Sequence, residues 1–189
     1  MAKQQLQGKK VAILAASGFE ESELTHPLQA LRDAGAEVHV VSPEAGSIQG
    51  FRHFDKGEQV SVDRALSDAR ADDYDALVVP GGLFNPDALR ADKSAIAFVK
   101  SMAASGKTVA AICHGPWVLA DAGLLDGREV TSVGSIRKDL ENAGALWADK
   151  PVVTDNGIVT SRTPKDLEQF SAKVIEEIAE GRHERRRAA

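Results

Sequence analysis

Short, almost continuously apolar runs alternate along the chain with longer segments in which apolar residues recur every three or four positions. The apolar runs, bounded by charged residues or glycines, predict buried strands at residues 9–16, 37–43, 75–82 and 107–113. The periodic segments predict amphipathic helices at residues 20–34, 85–104, 115–125 and 164–179. This alternation is typical of an α/β fold, in which helices cover both faces of a mainly parallel sheet.

The pattern is weaker between residues 44 and 75, where "SIQGF" and "EQVSV" predict two short added strands and residues 63–69 a small helix. Near the end, "PVVTDNGIVTSRTP" has two β-rich runs around Asn156-Gly157, which is a strong hairpin signal. The hairpin predicts an antiparallel extension at one edge of the sheet. Asn85-Pro86 is expected to cap the helix that follows, with proline in the first turn.

Length and composition narrow the class of protein. The 189 residues suit one domain, which we expect to span residues 1–189 with a basic tail at 182–189. The formal net charge of −5 argues against a nucleic-acid binder, and no apolar run approaches the roughly 20 residues of a membrane span. The single cysteine cannot form an internal disulfide, and the five histidines have no metal-ligand spacing with it. We therefore expect a cytoplasmic protein with neither a metal nor an organic cofactor.

Three of the predicted strands end in residues that chemistry could use. The sequences at these ends are "ASGFEESE", "PGGLFNPD" and "CHGP". In open α/β sheets, ligands bind outside the carboxyl ends of the strands, near the point where the strand order reverses. If the strands follow the common order 2-1-3-4, the three ends are neighbours and form one site.

Cys113 lies at the last position of its predicted strand, and a helix is expected to begin at or just after Gly115-Pro116. The positive end of that helix and its unpaired N–H groups would favour the thiolate, as at the nucleophile elbow of hydrolases. The alternative is a buried cysteine that packs as a small hydrophobic residue, the usual fate of a free cysteine. With His114 beside the glycine-proline helix start, the nucleophile is favoured. Whether the His114 imidazole takes part depends on the geometry of the turn.

Acidic residues and glycines at the other two strand ends are the remaining candidates. Glu20 and Glu23 are three residues apart near the start of a helix, which would place them on one face. A carboxyl group that points at the cysteine, with its pKa raised by burial, could share a proton with the sulfur. Gly81 and Gly82 could present N–H groups to an oxyanion or simply form a turn. For the acidic residues, including Asp87, an interaction with a helix start is the structural alternative.

Three long stretches together carry a resemblance to a known family: "VAAICHGPWVLADAGLLDGREVTS", "SIRKDLENAGALWADKPVV" and "NGIVTSRTPKDLEQF". They resemble the PfpI-type intracellular proteases and their stress-protein relatives, which belong to the superfamily of the parkinsonism-linked protein deglycase. The resemblance covers nearly the whole chain, and the combination of "AICHGP" with "TSRTPKDL" is much more specific than either motif alone. It implies a flavodoxin-like three-layer sandwich (the class I glutamine amidotransferase-like fold) with the cysteine at a nucleophile elbow.

The resemblance also implies roles for individual positions. Cys113 matches the family nucleophile and His114 its neighbour. Glu23, four residues before a proline, matches the glutamate that hydrogen-bonds the cysteine sulfur, and Glu20 matches a second acidic residue of the same pocket. Gly82 and His114 would supply backbone N–H groups to an oxyanion.

One position departs from the family pattern. In archaeal proteases of the family, an acidic residue after the double glycine reaches the histidine across a subunit interface. Here Asp87 occupies that place on a slightly longer loop, with Asp instead of Glu. A peptidase triad of Cys113, His114 and Asp87 would therefore require a homodimer or a higher homo-oligomer.

Three functions are compatible with these residues. The first is a stress-response enzyme of glyoxalase or deglycase type, whose cysteine adds to small reactive carbonyl compounds or their adducts while Glu23 moves protons. The second is an intracellular cysteine peptidase acting on peptides or proteins. The third is a redox-sensing or chaperone-like stress protein in which Cys113 is oxidised to the sulfinic acid without turnover.

Overall fold

The computed structural model describes residues 5–182, and a mainly parallel sheet lies between two layers of helices. Its strands are β1 (Lys10–Leu14), β2 (Phe19–Glu20), β3 (Glu37–Ser42), β4 (Ser47–Arg52), β5 (Asp55–Ser61), β6 (Arg64–Ala65), β7 (Ala76–Val79), β8 (Thr108–Ile112), β9 (Glu129–Val130), β10 (Leu146–Trp147), β11 (Val152–Asp155) and β12 (Ile158–Ser161). Its helices are α1 (Glu21–Asp33), α2 (Phe84–Ala91), α3 (Lys93–Ala104), α4 (Pro116–Asp121), α5 (Arg137–Asn142) and α6 (Leu167–Glu180).

The central sheet has seven strands in the order β11-β12-β8-β7-β1-β3-β6. Its neighbouring strands are parallel except for β11 and β12, which pair as an antiparallel hairpin at one edge. Both features of the predicted sheet are thus confirmed. The strands β3, β1, β7 and β8 follow the order 2-1-3-4, so the carboxyl ends of β1, β7 and β8 are neighbours.

Successive residues of the central strands pack against different helix layers, because side chains alternate across a strand. Ile13 of β1 belongs to a core cluster with Leu24 of α1 and Phe170 of α6. Leu14, the next residue, belongs to a second cluster that contains Val99 of α3. This two-sided burial explains why the central strands are apolar at almost every position.

The two short strands predicted between residues 44 and 75 form the hairpin β4–β5, which joins β2 in a separate three-stranded sheet. The small helix predicted at residues 63–69 is wrong. Residues 64 and 65 instead form β6, which pairs with β3, and only Leu66–Asp68 forms a short 3-10 turn. The Asp63 carboxylate accepts the Val40 N–H at 2.7 Å, so contacts with β3 hold this segment extended.

The single helix predicted at residues 85–104 is also wrong, because the chain breaks into α2 and α3 at Asp92. Asp92 has extended backbone angles, and its carboxylate accepts the N–H groups of Ser94 and Ala95 at the start of α3. Asn85 does not cap α2, which begins at Phe84. The helix predicted at residues 115–125 ends as α4 at residue 121, two residues before a glycine with φ +68°.

Two further expectations concern the membrane and the tail. Among residues 5–182, every helix is too short or too polar to cross a membrane. The basic tail expected at residues 182–189 lies, from residue 183 onward, outside the described residues.

Candidate active site

The chain makes a sharp turn at Cys113, between the end of β8 and the start of α4. Cys113 has a φ of +62°, a left-handed conformation that is unfavourable for a residue with a Cβ atom. Its backbone is held on both sides, since its N–H donates to Ser161 O at 3.0 Å and its carbonyl accepts the Val133 N–H at 3.1 Å. The half-buried side chain therefore leaves the sheet at a strained elbow.

Gly115 makes this elbow possible by allowing a close approach of the backbone. A Cβ atom at this position would lie 2.6 Å from Val79 O and 2.8 Å from Ile112 O. The glycine therefore lets the start of α4 pack directly on the ends of β7 and β8.

The Glu23 carboxyl group, on the first turn of α1, is fully buried beside this elbow. Its Oε2 accepts the Gly81 N–H at 2.8 Å. Its Oε1 is buried without a well-formed hydrogen bond to any described residue, and the polar side chain that interacts with the carboxyl group is that of Cys113. A buried carboxyl group with one oxygen uncommitted is expected to hold or exchange a proton.

Gly81 and Gly82 form the turn after β7, close to the segments that follow β1 and β8. A Cβ atom on Gly81 would lie 2.7 Å from Cys113 Cβ and would also collide with the Glu23 carboxylate. Gly82 has a φ of +79°, and a Cβ atom there would collide with Gly18 O and Glu20 N. The Gly81 N–H donates to Glu23, whereas the N–H of Gly82 lowers the pKa of both Glu23 and Cys113.

Glu23 and Cys113 influence each other's ionisation. Burial raises the pKa of Glu23 from 4.5 to about 8, and the N–H of Gly81 and the thiol of Cys113 partly oppose this shift. Burial and then the negative charge of Glu23 raise the pKa of the thiol, while the N–H groups of His114 and Gly82 lower it. Since a thiolate and a carboxylate are unfavourable side by side, the pair loses its first proton only near pH 8 and then holds the second one strongly.

The raised thiol pKa differs from the expectation that the start of α4 favours the thiolate. The N–H groups there are already bonded to carbonyls: that of Gly115 donates to Ile112 O at 2.8 Å and that of Trp117 to His114 O at 3.0 Å. They are therefore not free to stabilise the sulfur, and the protonation state of Glu23 has the larger influence.

His114 follows the cysteine and turns its imidazole back towards the sulfur. Its Nδ1 lies 3.3 Å from Cys113 Sγ, and its Nε2 lies 3.5 Å from Ser135 Oγ, at the outer limit of a hydrogen bond. Burial lowers the pKa of His114, which keeps the ring neutral at physiological pH. A neutral imidazole beside a thiol can accept its proton.

A cavity of about 370 Å³ opens onto these groups. It is lined by Glu20, Glu23, His53, Phe54, Gly82, Leu83, Cys113, His114 and Pro164. The Glu20 carboxylate accepts the His53 N–H at 3.0 Å, which ties the tip of the β4–β5 hairpin to the start of α1. Among residues 5–182, no group of three His, Cys, Asp or Glu side chains has the arrangement of metal ligands.

The sequence profile of the DJ-1/PfpI family matches residues 9–177, which is most of the chain. The chain belongs to the DJ-1/PfpI family. It is 49% identical over 167 residues to YraA of Bacillus subtilis, whose name assigns it provisionally to the cysteine proteases, covering 88% of this chain and 96% of YraA. It is 48% identical over 158 residues to the deglycase TK1284 of Thermococcus kodakarensis, covering 84% of this chain and 92% of that protein.

A crystal structure from Anabaena variabilis shows the same fold in a longer protein. That protein contains a DJ-1/ThiJ/PfpI-like and a ferritin-like domain, and superposition gives a TM-score of 0.85 at 37% identity. The match covers 90% of this chain and 48% of that one. A DJ-1/PfpI fold of this kind can therefore be joined to another domain in one polypeptide.

Asp87 is the candidate residue that the single chain of this DJ-1/PfpI protein does not bring to the others. It is exposed on α2 and does not line the cavity. The imidazole of His114 faces Ser135 and Trp117 instead. A contact between Asp87 and His114 would have to come from another subunit.

Two polar groups that support the site were missed or misread in the sequence. Asn85 is fully buried, accepts the Ala16 N–H at 2.7 Å and donates to Pro80 O at 2.9 Å, so it joins the ends of β1 and β7. Arg162 makes two hydrogen bonds of 3.1 Å to the buried Asp166 carboxylate and thereby fixes the segment that carries Pro164. The "TSRTPKDL" motif contains this pair, but sequence spacing alone does not assign its contacts.

Proposed function

We propose that this DJ-1/PfpI protein is a cysteine-dependent enzyme of glyoxalase or deglycase type that acts on small reactive carbonyl compounds or their adducts. The observation that supports this most directly is the buried carboxyl group of Glu23 against Cys113, in a cavity that a small molecule can enter. The 48% identity to a protein named deglycase TK1284 agrees with the proposal.

In the proposed reaction, Cys113 Sγ forms a bond to the carbonyl carbon and the C=O π electrons move to oxygen. The proton that leaves the thiol passes to Glu23 or to Nδ1 of His114, which lies 3.3 Å from the sulfur. The backbone N–H groups of Gly82 and His114, which lower the pKa of the thiol, would stabilise the nearby oxyanion. Return of the proton to that oxygen completes a neutral hemithioacetal. With methylglyoxal, Glu23 then moves the proton of the former aldehyde carbon to the adjacent carbon through an enediol, which gives a thioester, and water hydrolyses the thioester to lactate and the free thiol.

Methylglyoxal consumption by the purified protein tests this proposal. We expect the wild-type protein to consume the aldehyde, and we expect Cys113→Ser to abolish consumption because a serine hydroxyl is a much weaker nucleophile. Ser101→Ala, an exposed change on α3, is the matched control and should retain full activity. Unchanged consumption in Cys113→Ser would contradict the proposal.

A second candidate is a cysteine peptidase, which is favoured by the 49% identity to YraA. This activity would need Asp87 from another subunit beside His114, hence at least a homodimer. We expect cleavage of an unstructured peptide to be lost in Asp87→Ala, and we expect the active protein to sediment as an oligomer. Cleavage that persists in Asp87→Ala would remove the triad from consideration.

A further inference from the structure

The His114 imidazole packs against the indole ring of Trp117. The two ring centroids are 5.3 Å apart at an interplanar angle of 59°. Trp117 is half-buried and is the second residue of α4, so its backbone position is set by the same elbow that carries the cysteine. The contact therefore joins a possible proton acceptor to a large, flat side chain on the adjoining helix.

The indole ring is itself fixed from two other elements. Its Nε1–H donates to Asp139 Oδ2, on α5, at 2.8 Å. The guanidinium of Arg90, on α2, lies over the indole with its Cζ 5.2 Å from the ring centroid. Arg90 is held in turn, since its Nε donates to Asp121 Oδ2 at 2.6 Å. Three helices thus determine where the indole lies.

The other contacts of His114 leave its ring orientation weakly specified. The Nδ1–Sγ distance of 3.3 Å is ordinary for a hydrogen bond to sulfur, but the Nε2–Ser135 Oγ distance of 3.5 Å is at the outer limit, so the ring has one good hydrogen bond at most. The described residues give the imidazole no carboxylate partner of the kind that orients a catalytic histidine. The tilted indole ring is consequently a fixed aromatic surface against the imidazole.

We propose that Trp117 is the positioning residue of His114: held by Asp139 and Arg90, its indole keeps Nδ1 directed at the Cys113 sulfur. The inference rests on the proposed role of His114 as a proton partner of Cys113. It assigns to the indole, within one chain, the orienting function that the peptidase hypothesis gives to Asp87 of another subunit.

The variant Trp117→Leu tests this by removing the aromatic surface while keeping an apolar side chain. We expect kcat for methylglyoxal to fall about tenfold with KM changed less than about twofold, because orientation and not substrate binding is lost. In a histidine NMR titration, the pKa of His114 should rise towards about 6.5 as water reaches the ring. The ionisable groups that share its surroundings are Cys113, Glu20, Glu23 and His53 in the cavity.

Trp117→Phe and Trp147→Phe are the matched comparisons. Trp117→Phe keeps an aromatic face but loses the hydrogen bond to Asp139, so its kcat and His114 pKa should fall between those of the wild-type and Trp117→Leu proteins. Trp147 has one hydrogen bond, to Ser132 Oγ at 3.0 Å, and one guanidinium, that of Arg137 at 4.9 Å. Since its contacts are similar but do not involve His114, Trp147→Phe should leave both readouts unchanged.

A second variant guards against a folding defect in Trp117→Leu. Asp139 is exposed, so Asp139→Ala is expected to fold normally while releasing the indole N–H. It should shift the His114 titration in the same direction by a smaller amount. The proposal is overturned if the His114 pKa of folded Trp117→Leu equals that of Trp147→Phe. If Trp117→Leu does not fold, the same comparison is made with Asp139→Ala. Because the titration needs no substrate, absence of carbonyl turnover in the wild-type protein would contradict only the proposed function.

Discussion

At Cys113, the backbone conformation favours glycine, while the proposed chemistry requires a thiol side chain. The φ of +62° suits glycine, whereas a nucleophile needs a side chain. The hydrogen bonds to Ser161 and Val133 hold the strained conformation in place. A residue in this conformation with no evident packing need for it is typical of functional sites.

The strain predicts an unusual order of stability among variants of Cys113. We expect Cys113→Gly to be more stable than Cys113→Ala by about 1 kcal/mol, because only alanine keeps the left-handed penalty of a Cβ atom. Urea denaturation of the two proteins measures the difference. Ala110, in β8, is the control position, where replacement by glycine should destabilise by a similar amount. If Cys113→Ala equals or exceeds Cys113→Gly in stability, the elbow is not strained.

The places of some single residues at the sheet edge could be predicted from the sequence, while their roles stay predictions. Cys113 was a candidate because it precedes a glycine-proline helix start, and Glu23 through its family position. Asn85 was misread as a helix cap because asparagine is common there, while its actual partners are 69 residues away at Ala16 and nearby at Pro80. Such long-range hydrogen bonds have no local sequence signal.

Among the secondary-structure elements, α2 and α3 show how one side chain can end a helix. Residues 85–104 have continuous helical periodicity, yet Asp92 is extended and accepts two N–H groups from α3. At the other end of α2, Asn85 lies beside the turn after β7 and donates to Pro80 O and Gly81 O. Helical periodicity did not reveal the break, because an aspartate on a helix surface and one at a cap are alike in sequence.

The cap predicts a cost for its removal. Asp92→Ala should lower the free energy of unfolding by about 1 kcal/mol, the usual loss when an N-cap acceptor is deleted. Urea denaturation with Lys100→Ala, an exposed change in the same helix, as control gives the comparison. Equal stability of the two variants would show that packing alone positions α3.

For the whole molecule, the sheet order brings the ends of β1, β7 and β8 to one edge, and the site forms there. This much could be predicted, since parallel strands of this order place their carboxyl ends together. The depth at which Glu23 is buried could not, because it depends on how α1 and the Gly81 turn pack together.

Burial of Glu23 predicts a pH-dependent global stability. The Glu23 carboxyl group has a pKa of about 8 in the folded protein, against an ordinary value of 4.5. Between these two pH values, the folded protein therefore binds one proton that the unfolded chain has released. Stability therefore decreases as pH rises through this window, by about 1.4 kcal/mol per pH unit for one proton. Glu23→Gln lacks this proton, so its stability relative to wild-type should increase by a few kcal/mol between about pH 5 and pH 8. Parallel stability curves would show that Glu23 is charged in the folded protein.

The central claim is that Cys113 is a reactive nucleophile that shares a proton with Glu23. The rate of iodoacetamide alkylation of this single cysteine, measured against pH in the wild-type and Glu23→Gln proteins, tests it most directly. We predict that the wild-type rate levels off once the pair has lost its first proton, since the remaining proton is shared and the second ionisation is opposed. In Glu23→Gln, the alkylation rate should instead follow a single thiol ionisation and keep rising with pH until that thiol is fully ionised. Superimposable profiles, or a cysteine that is inert in the folded protein, would contradict the claim.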